Sequence, residues 1–430
     1  MKITSIVPGF GGTFYCGNCL RDSAFSSALR KAGHKATLLP IYLPLSLNRQ
    51  RQETPVPIFY GAVNLYLKQQ FPVMRNMPHW VEKLLDSRPL LNLAAKKSGS
   101  TRADGLEAMT ESMLLGPDGL QHKELETLVN FLKNNEKPDL VHLSNALLLG
   151  MAGRIKETGI PVVCSLQDEN IWIDAMEPAG QEKMWRLMAE KAQAVDSFVA
   201  VSHYFGQLMQ EKMEIPSHKL HTVPIGIDPG SCLYHPPAMA PRTIGYLSRF
   251  CKENGFDIVI GAFILLKKES QFSDLRLAIT GGMTGDDRSY FHSQMARLKN
   301  NHLMKDLTVF HDFGAGSLDP FFKELTLLSV PVLKGEAFGL YQIEALASGI
   351  PTVQPALGAF PEIAEATGGG VIYHPNTPEA LAEKLSEILS KPDALVQLSI
   401  NGRRAVEEKF DSEKLTMNLI KIYKSLIFNN

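Results

Sequence analysis

Two series of alternating strand and helix patterns, separated by a proline-rich segment, limit most strongly how this chain can fold. Residues 224–241 contain five prolines and few helix formers, which is typical of a linker between domains. Before the linker, short apolar runs alternate with longer helical patterns, and the same rhythm starts again at Thr243. Alternation of this kind predicts parallel sheets with helical crossovers. We therefore expect an α/β chain with two similar domains.

Individual elements can be assigned from the same patterns. The expected strands are residues 3–7, 35–39, 140–143, 162–166 and 197–201 in the first series, and 243–247, 276–280, 307–310, 326–332, 351–354 and 371–373 in the second. The expected helices include residues 21–31, 79–95, 121–133, 377–389, 395–409 and 413–427. Ligands of such sheets bind beyond the carboxyl ends of the strands, so two facing sheets would form a cleft.

Residues 45–125 interrupt the first series and are too long for an ordinary connection, so we expect them to carry structure or function of their own. Part of this insertion is rich in methionine and aromatic side chains, including Phe71, Met74, Met77 and Trp80. Such a stretch fits either core packing or a surface for a lipid-linked acceptor or a membrane. Both interpretations stay open.

Composition excludes several classes of protein. The net charge of the 430 residues is −1 and no dense Lys/Arg tract occurs, which argues against a nucleic-acid partner. Five cysteines without a regular framework fit a reducing compartment. No run approaches the roughly 20 apolar residues that a membrane span needs. We expect a cytoplasmic protein, with peripheral contact at the inner membrane if its acceptor is lipid-linked.

A turn in the second series carries two glutamates eight positions apart, Glu336 and Glu344. The first follows the apolar run at residues 330–333, and the second falls in a helical pattern that the turn opens. Helix geometry directs the N-terminal amides of such a helix, with their partial positive charge, at whatever lies above the turn. The pattern is typical of a phosphate site with carboxylates placed to bind sugar hydroxyls.

This stretch, together with Phe338-Gly339 between the glutamates, Glu-Ala-Leu-Ala-Ser-Gly from Glu344 and a following strand, resembles the Glu-x7-Glu signature of retaining glycosyltransferases of the family 4 type (glycosyl transferases group 1). The resemblance implies the GT-B fold, two Rossmann-like domains with parallel sheets facing across a cleft. It implies an acceptor domain at residues 1–225 with the insertion at about 45–125, completed by a last helix at about 412–430. A donor domain would occupy residues 236–411.

The resemblance also implies an activity: transfer of a hexosyl group from a nucleotide-sugar to an acceptor hydroxyl, with retained anomeric configuration and no obligatory metal or other cofactor. The acceptor would be a glycan, a glycolipid or a small molecule. Glu344 is assigned to the donor ribose and Glu336 to the donor sugar ring. Arg249 is expected on the diphosphate, because a guanidinium keeps its charge at neutral pH. The other residues assigned to the donor are Gly11, Gly12, Lys252, Gly281, Gly282, Phe338, Gly339 and Leu340.

On the acceptor side, His142 matches a strand-terminal histidine of the family, and both a catalytic and a structural role stay open. The chain departs from the family at three of these positions, one of which is Ser248, where the family has glycine. Gln167 stands where the family has another histidine, and it could bind a sugar hydroxyl but could not take a proton. Asn254 stands where the family has a lysine, and Lys252 is the nearest cation.

Other interpretations stay open at this stage. The Asn254 and Gln167 departures allow a non-catalytic sugar-nucleotide-binding protein, and the fold also serves other enzymes such as glucan synthases and sugar-nucleotide epimerases. Cys16 and Cys19 form a Cys-x-x-Cys pair, which fits structural thiols or a redox pair. No further ligands at a suitable spacing indicate a metal site.

Overall fold

A computed structural model describes residues 1–8, 15, 17–42, 107–313 and 318–428. The chain forms two compact units. Unit 1 comprises Met1–Gly12, Asn18–Pro224 and Thr416–Asn430, and unit 2 comprises Thr13–Gly17 and Ile225–Leu415. The short segment Thr13–Gly17 therefore belongs to unit 2 although unit 1 flanks it in the sequence, which no pattern in the chain indicates.

Unit 1 is built on a sheet of six strands among the described residues. Its strands are β1 (Lys2–Val7), β2 (Lys35–Pro40), β3 (Leu140–Leu143), β4 (Val162–Leu166), β5 (Ser197–Ala200) and β6 (Leu220–Thr222). Its helices are α1 (Gly17–Lys31), α2 (Glu107–Leu115), α3 (His122–Phe131), α4 (Ala152–Lys156), α5 (Glu169–Ile173), α6 (Pro178–Ala192) and α7 (His203–Met213). The strand order is β2-β1-β3-β4-β5-β6, and every pairing is parallel.

Unit 2 repeats this architecture in its own described residues. Its strands are β7 (Thr243–Leu247), β8 (Arg276–Thr280), β9 (Leu307–Val309), β10 (Leu327–Leu328), β11 (Thr352–Pro355) and β12 (Gly370–Tyr373). Its helices are α8 (Phe256–Leu266), α9 (Arg288–Asn300), α10 (Asp319–Phe322), α11 (Leu340–Ala347), α12 (Phe360–Thr367), α13 (Pro378–Leu389) and α14 (Pro392–Lys409), followed by α15 (Ser412–Phe428), which begins in unit 2 and continues in unit 1. The parallel order is β12-β11-β10-β7-β8-β9.

Short apolar strands form the core of each unit. Ile3, Val141 and Val163 in unit 1, and Tyr246 and Leu277 in unit 2, are fully buried. Strands covered on both faces by helices read as nearly continuous apolar runs, as these do. The expectation of two parallel α/β sheets is confirmed.

Some boundaries differ from those expected. The helix expected at 21–31 begins earlier, at Gly17, and β6 was not predicted. The strand expected at 326–332 contracts to Leu327–Leu328, because Pro331 has no amide hydrogen to donate and Val332 bonds locally to the carbonyl of Val330. The helix expected at 79–95 lies outside the described residues.

The order of strands locates the functional edge of each unit. In unit 2 the chain lays β8 and β9 on one side of β7, and β10 to β12 on the other. Ligands of open α/β sheets bind at the carboxyl edge where the strand order reverses in this way. The residues that follow β7 and β10, including Arg249 and Glu336, therefore lie at the edge where a ligand is expected.

Candidate functional site

The turn between β10 and α11 is built around glycines whose conformations other residues rarely adopt. Gly339 precedes α11 with a φ of 82°, and a Cβ there would lie 2.8 Å from Nε2 of Gln342 and 3.1 Å from Oε2 of Glu336. Gly335 has a φ of 74°, and a Cβ there would lie 2.5 Å from the backbone nitrogen of Gly358. These close approaches explain why the turn needs glycine on both sides of Glu336.

Glu336 is held by its backbone as well as by its neighbours. Its carbonyl accepts a hydrogen bond of 3.0 Å from the amide of Ala359 at the start of α12, and its side chain is half-buried. The backbone that carries the predicted sugar-facing carboxylate is therefore held beside the N-terminal end of α11.

Glu344 lies on α11 and its carboxyl group is engaged by a tyrosine. Oε2 of Glu344 accepts a hydrogen bond of 2.6 Å from the hydroxyl of Tyr15, in the short N-terminal segment of unit 2. Burial raises the pKa of Glu344 to about 7, and the Tyr15 hydrogen bond acts in the opposite direction. The carboxyl group thus titrates near neutral pH.

Arg249 follows β7 and forms an ion pair with Asp287, a partner the sequence did not indicate. Nε and Nη2 of Arg249 lie 2.7 and 2.9 Å from Oδ2 and Oδ1 of Asp287. Burial favours a higher pKa of Asp287, but hydrogen bonds from Arg249 and Thr284 outweigh it and hold the pKa below its usual value. Asp287 is ionised at neutral pH, and it fixes the plane of the guanidinium.

The glycine pair after β8 packs directly against the end of β7. Gly281 has a φ of 125°, and a Cβ there would lie 2.2 Å from the carbonyl oxygen of Ser248. The amide of Phe250 donates to the carbonyl of Gly282 at 2.9 Å. Arg249, Gly281 and Gly282, which the sequence assigned separately to the donor, therefore lie together at the carboxyl edge of the sheet.

Lys252 and Asn254, which both follow β7, differ in their surroundings. Lys252 is exposed, and its ammonium forms no hydrogen bond or ion pair within the described ranges. Asn254, at the position where the family has lysine, donates from Nδ2 to Oγ of Ser248 at 2.7 Å. The asparagine thus stabilises the segment that follows β7, while the nearby Lys252 is exposed to solvent.

Phe338 and Leu340 place their side chains in the core. Phe338 is 3% and Leu340 is 4% exposed, and the ring of Phe338 lies 6.1 Å from that of Phe410. Their side chains anchor the turn, so only their backbone amides remain as candidates for contact with a phosphate.

Tyr15 contacts both the glycine pair that follows β8 and the glutamate on α11. Its backbone amide donates to the carbonyl of Gly281 at 2.7 Å, while its hydroxyl donates to Glu344. Sequence reasoning missed this residue, although the glycine loop at residues 9–12 and the Cys-x-x-Cys pair flank it. Gly11, Gly12 and Cys16 lie outside the described residues, as does the side chain of Cys19.

In unit 1, His142 is enclosed rather than presented to a ligand. The histidine is 5% exposed; Nδ1 bonds to the hydroxyl of Tyr423 and Nε2 to Oγ of Ser165, the latter at 2.7 Å. Burial, with a smaller effect of Arg21, lowers the pKa of His142 to about 3. The ring is neutral and both its nitrogens are occupied, which does not fit the catalytic alternative of the sequence.

Gln167 lies at the carboxyl edge of the unit 1 sheet in a network of polar groups. Its Nε2 donates to the carbonyl of Ser144 at 2.6 Å, while its Oε1 is buried and has no partner within the described residues. Glu169 ties the same edge together, because its carboxylate accepts from the amides of Ala146 and Gln167 at 2.8 and 2.7 Å. Oδ1 of Asn170 is likewise buried without a partner in the described part of the chain.

Within the described residues, no group of three or more histidine, cysteine, aspartate or glutamate side chains could hold a metal ion. Helices capable of crossing a membrane are not found among these residues either.

Comparisons with known proteins agree with this architecture. The family model described as glycosyl transferases group 1 matches residues 235–405, and the one described as glycosyltransferase family 4 matches residues 117–231. Two uncharacterized glycosyltransferases of Methanocaldococcus jannaschii are 25% and 27% identical over 184 residues each. Those matches cover 43% and 42% of this chain and only 45% and 47% of the two relatives, less than half of their length.

Solved structures share this fold. A sucrose-phosphate synthase from Thermosynechococcus elongatus superposes with a TM-score of 0.71 at 15% identity, covering 100% of both chains. Anabaena HepE in complex with UDP and glucose superposes with a TM-score of 0.69 at 16% identity, covering 99% of this chain and 100% of its own. At these identities the likeness concerns the fold.

Proposed function

Since the chain belongs to the group 1, family 4 type glycosyltransferases, with the GT-B fold of two Rossmann-like domains, we propose that it transfers a hexosyl group from a nucleotide-sugar to an acceptor hydroxyl and retains the anomeric configuration. The observation that carries the proposal is the arrangement of Glu336, Gly339 and Glu344 around the N-terminal end of α11. One carboxylate lies beside the helix start and the other further along the same helix.

The donor binds unit 2 in this proposal. Glu344 accepts hydrogen bonds from the ribose hydroxyls and Glu336 faces the sugar ring, while the amides of residues 338–340 contact the phosphates. A helix N-terminus favours an anion through its unpaired amides and its dipole. HepE, whose structure holds UDP and glucose, makes UDP-sugars the first donors to test.

Arg249 and Lys252 supply positive charge for the departing diphosphate. As the bond between C1 and the phosphate oxygen breaks, negative charge grows on that oxygen, and fixed cations stabilise it. The ion pair with Asp287 holds the guanidinium in place before the donor binds. We propose that these side chains make an obligatory metal or other cofactor unnecessary.

The acceptor binds unit 1 through hydroxyl groups. The buried oxygens of Gln167 and Asn170 lack hydrogen-bond donors in the described residues, and a buried acceptor without a partner costs about 1–3 kcal/mol. An acceptor hydroxyl could supply such a donor. Sugars, glycolipids and polyols fit this chemistry, and a lipid-linked acceptor would bring the protein, which we propose to be cytoplasmic, to the surface of a membrane.

In the proposed reaction the acceptor oxygen forms a bond to C1 as the bond to the leaving phosphate breaks. The proton of the acceptor hydroxyl passes to an oxygen of the leaving diphosphate. His142 takes no part, because its two ring nitrogens are bonded to Tyr423 and Ser165. We propose that it instead holds Tyr423 of α15 against the unit 1 sheet.

One observation favours a second candidate, a protein that binds a sugar-nucleotide without transferring it. Asn254 donates to Ser248 where the family has a lysine, so unit 2 lacks one cation of the family pattern. A binder would keep donor affinity and lack turnover. Turnover by the wild-type protein decides between the two candidates.

The test is a turnover assay by proton NMR with UDP-, GDP- and ADP-hexoses and a panel of neutral sugar and glycolipid acceptors. The proposal predicts a product whose anomeric coupling constant matches that of the donor. An inverted anomer would refute retention. Donor binding without transfer or hydrolysis, across the panel, would favour the non-catalytic binder.

A further inference from the structure

Tyr15 is fixed at both ends within unit 2. Its backbone amide donates to the carbonyl of Gly281 at 2.7 Å, and its hydroxyl donates to Oε2 of Glu344 at 2.6 Å. The residue is 8% exposed. A single side chain therefore spans the glycine turn after β8 and the carboxylate on α11.

The direction of the hydrogen bond is defined by the chemistry of the two groups. Burial and the neighbouring Glu344 raise the pKa of Tyr15 well above its usual value, so the phenol keeps its proton. A phenol that donates to a carboxylate favours the ionised form of the acid. It also restricts the rotation of the carboxylate, because a short charge-assisted bond is strongly directional.

We propose that Tyr15 is a positioning residue for donor binding, which orients the Glu344 carboxylate so that it can accept from the ribose hydroxyls and favours its ionised form. This inference rests on the proposed function. Tyr15 occupies one oxygen of the carboxylate, so the other oxygen can accept from a ligand while the tyrosine stays bound.

The hydrogen bond from Tyr15 is the interaction that lowers the pKa of Glu344 and so favours its ionised form. Burial raises the pKa of Glu344 to about 7, and the Tyr15 bond opposes that rise. Among the described residues, Glu336 in the preceding turn and Tyr341 on the same helix act on Tyr15, while Glu344 and Arg403 both act on Cys232. Without the phenol, the carboxyl group would protonate at a higher pH.

Protonation weakens donor binding because an ionised carboxylate accepts stronger hydrogen bonds than a neutral carboxyl group does. The difference corresponds to about tenfold in affinity for one charge-assisted bond. Donor affinity in the wild-type protein should therefore fall as the pH drops through about 7. In Tyr15→Phe the same fall should occur at a higher pH.

The experiment is a calorimetric titration of the wild-type protein and Tyr15→Phe with the nucleotide-sugar that the wild type binds, from about pH 6 to pH 9. In parallel, carboxyl carbon NMR of labelled glutamate, assigned with Glu344→Gln, follows the titration of Glu344 without any donor. We expect a higher midpoint in Tyr15→Phe by both methods, with affinity reduced about tenfold near pH 7 and recovered at high pH.

Tyr373→Phe is the matched control, because it removes another buried phenol of unit 2 whose hydroxyl donates to Asn376. It should keep the wild-type pH profile. The second variant, Glu344→Gln, should bind the donor with an affinity that depends little on pH. The double variant that also carries Tyr15→Phe should show no greater pH dependence.

The outcomes separate the inference from the proposed function. If the wild-type protein binds a donor and Tyr15→Phe shows the same midpoint, or the same loss of affinity at every pH, the inference is wrong and the function stands. If the folded wild-type protein binds no nucleotide-sugar, the proposed function fails, and the positioning role fails with it.

Discussion

Arg249 and Asp287 form a two-point ion pair in unit 2, with nitrogen–oxygen distances of 2.7 and 2.9 Å, and the carboxylate is 1% exposed. Asp287 also accepts from the amide and the hydroxyl of Thr284, at 2.9 and 2.7 Å. The cation that we assign to the diphosphate is therefore held by a carboxylate that is itself held by the start of the next helix. Its position does not depend on a bound ligand.

Replacing Asp287 by asparagine tests this arrangement. Asp287→Asn removes the charge and leaves one oxygen to accept, so the guanidinium loses its fixed plane. We expect kcat/KM to fall about tenfold and the unfolding free energy to fall by about 1–3 kcal/mol. Steady-state kinetics and denaturant unfolding measure the two effects.

Asp274→Asn is the control for that variant, because Asp274 pairs with Arg242 in the same unit at an exposed position. Exposed pairs contribute only about 0–1 kcal/mol, so both stability and kinetics should change little. Equal kinetic loss in the two variants would show that Arg249 needs no fixed orientation.

Lys252 should supply the second positive charge on the leaving group. Lys252→Ala is expected to lower kcat by about 10- to 100-fold, because a positive charge beside the leaving phosphate stabilises the transition state. The melting temperature should stay unchanged, since the side chain is exposed and forms no hydrogen bond or ion pair within the described residues. Lys268→Ala, which removes another exposed lysine of unit 2, provides the control. An unchanged kcat in Lys252→Ala would show that Lys252 does not act on the leaving diphosphate, and Arg249 alone would then keep that role.

The half-buried carboxyl group of Glu344 should cost stability at high pH. Its pKa rises from 4.5 in the unfolded chain to about 7 in the fold, so the folded state binds more protons between these values and stability falls as the pH rises through them. Glu344→Gln should therefore be more stable than the wild type at about pH 8, by about 1–2 kcal/mol after allowance for the partial exposure of the side chain.

Near pH 5 the same variant should match the wild type, because Glu344 is then protonated in the fold. Thermal unfolding at the two pH values, with the exposed Glu365→Gln as control, measures the difference. An equal shift at both pH values would mean that the substitution acts through packing instead of charge.

His142 should behave as a structural residue. Its pKa of about 3 in the fold lies below the unfolded value near 6.5, so its contribution to stability is complete above about pH 6.5 and is lost as the pH falls towards 3. His142→Gln should lower the unfolding free energy and flatten this pH dependence. The pH–rate profile should keep its shape, and loss of one limb of that profile would instead assign His142 an acid–base step.

Much of this picture follows from local patterns in the chain. The strands of both sheets are short apolar runs bounded by turns, and the turn at Gly335 and Gly339 can be predicted because only glycine fits its backbone. The placement of Glu336 in the turn and of Glu344 in the helix depends only on their spacing along the sequence. Local geometry was therefore sufficient to predict it.

The contacts that complete the site are not local. Tyr15 and Glu344 are 329 positions apart, and Arg249 and Asp287 are 38 apart. No periodicity links such pairs, because only the tertiary fold brings them together. The burial of His142 could not be predicted from the sequence for the same reason, since its partner Tyr423 lies on a helix 281 positions later.

The most direct test of the central claim is a calorimetric panel of UDP-, GDP- and ADP-sugars on the wild-type protein, Glu344→Ala and the exposed control Glu365→Ala. We predict that the wild type and Glu365→Ala bind one nucleotide class with equal affinity and that Glu344→Ala binds it at least about tenfold more weakly. Failure of the folded wild-type protein to bind any donor, or equal binding by Glu344→Ala, would contradict a nucleotide-sugar site at α11.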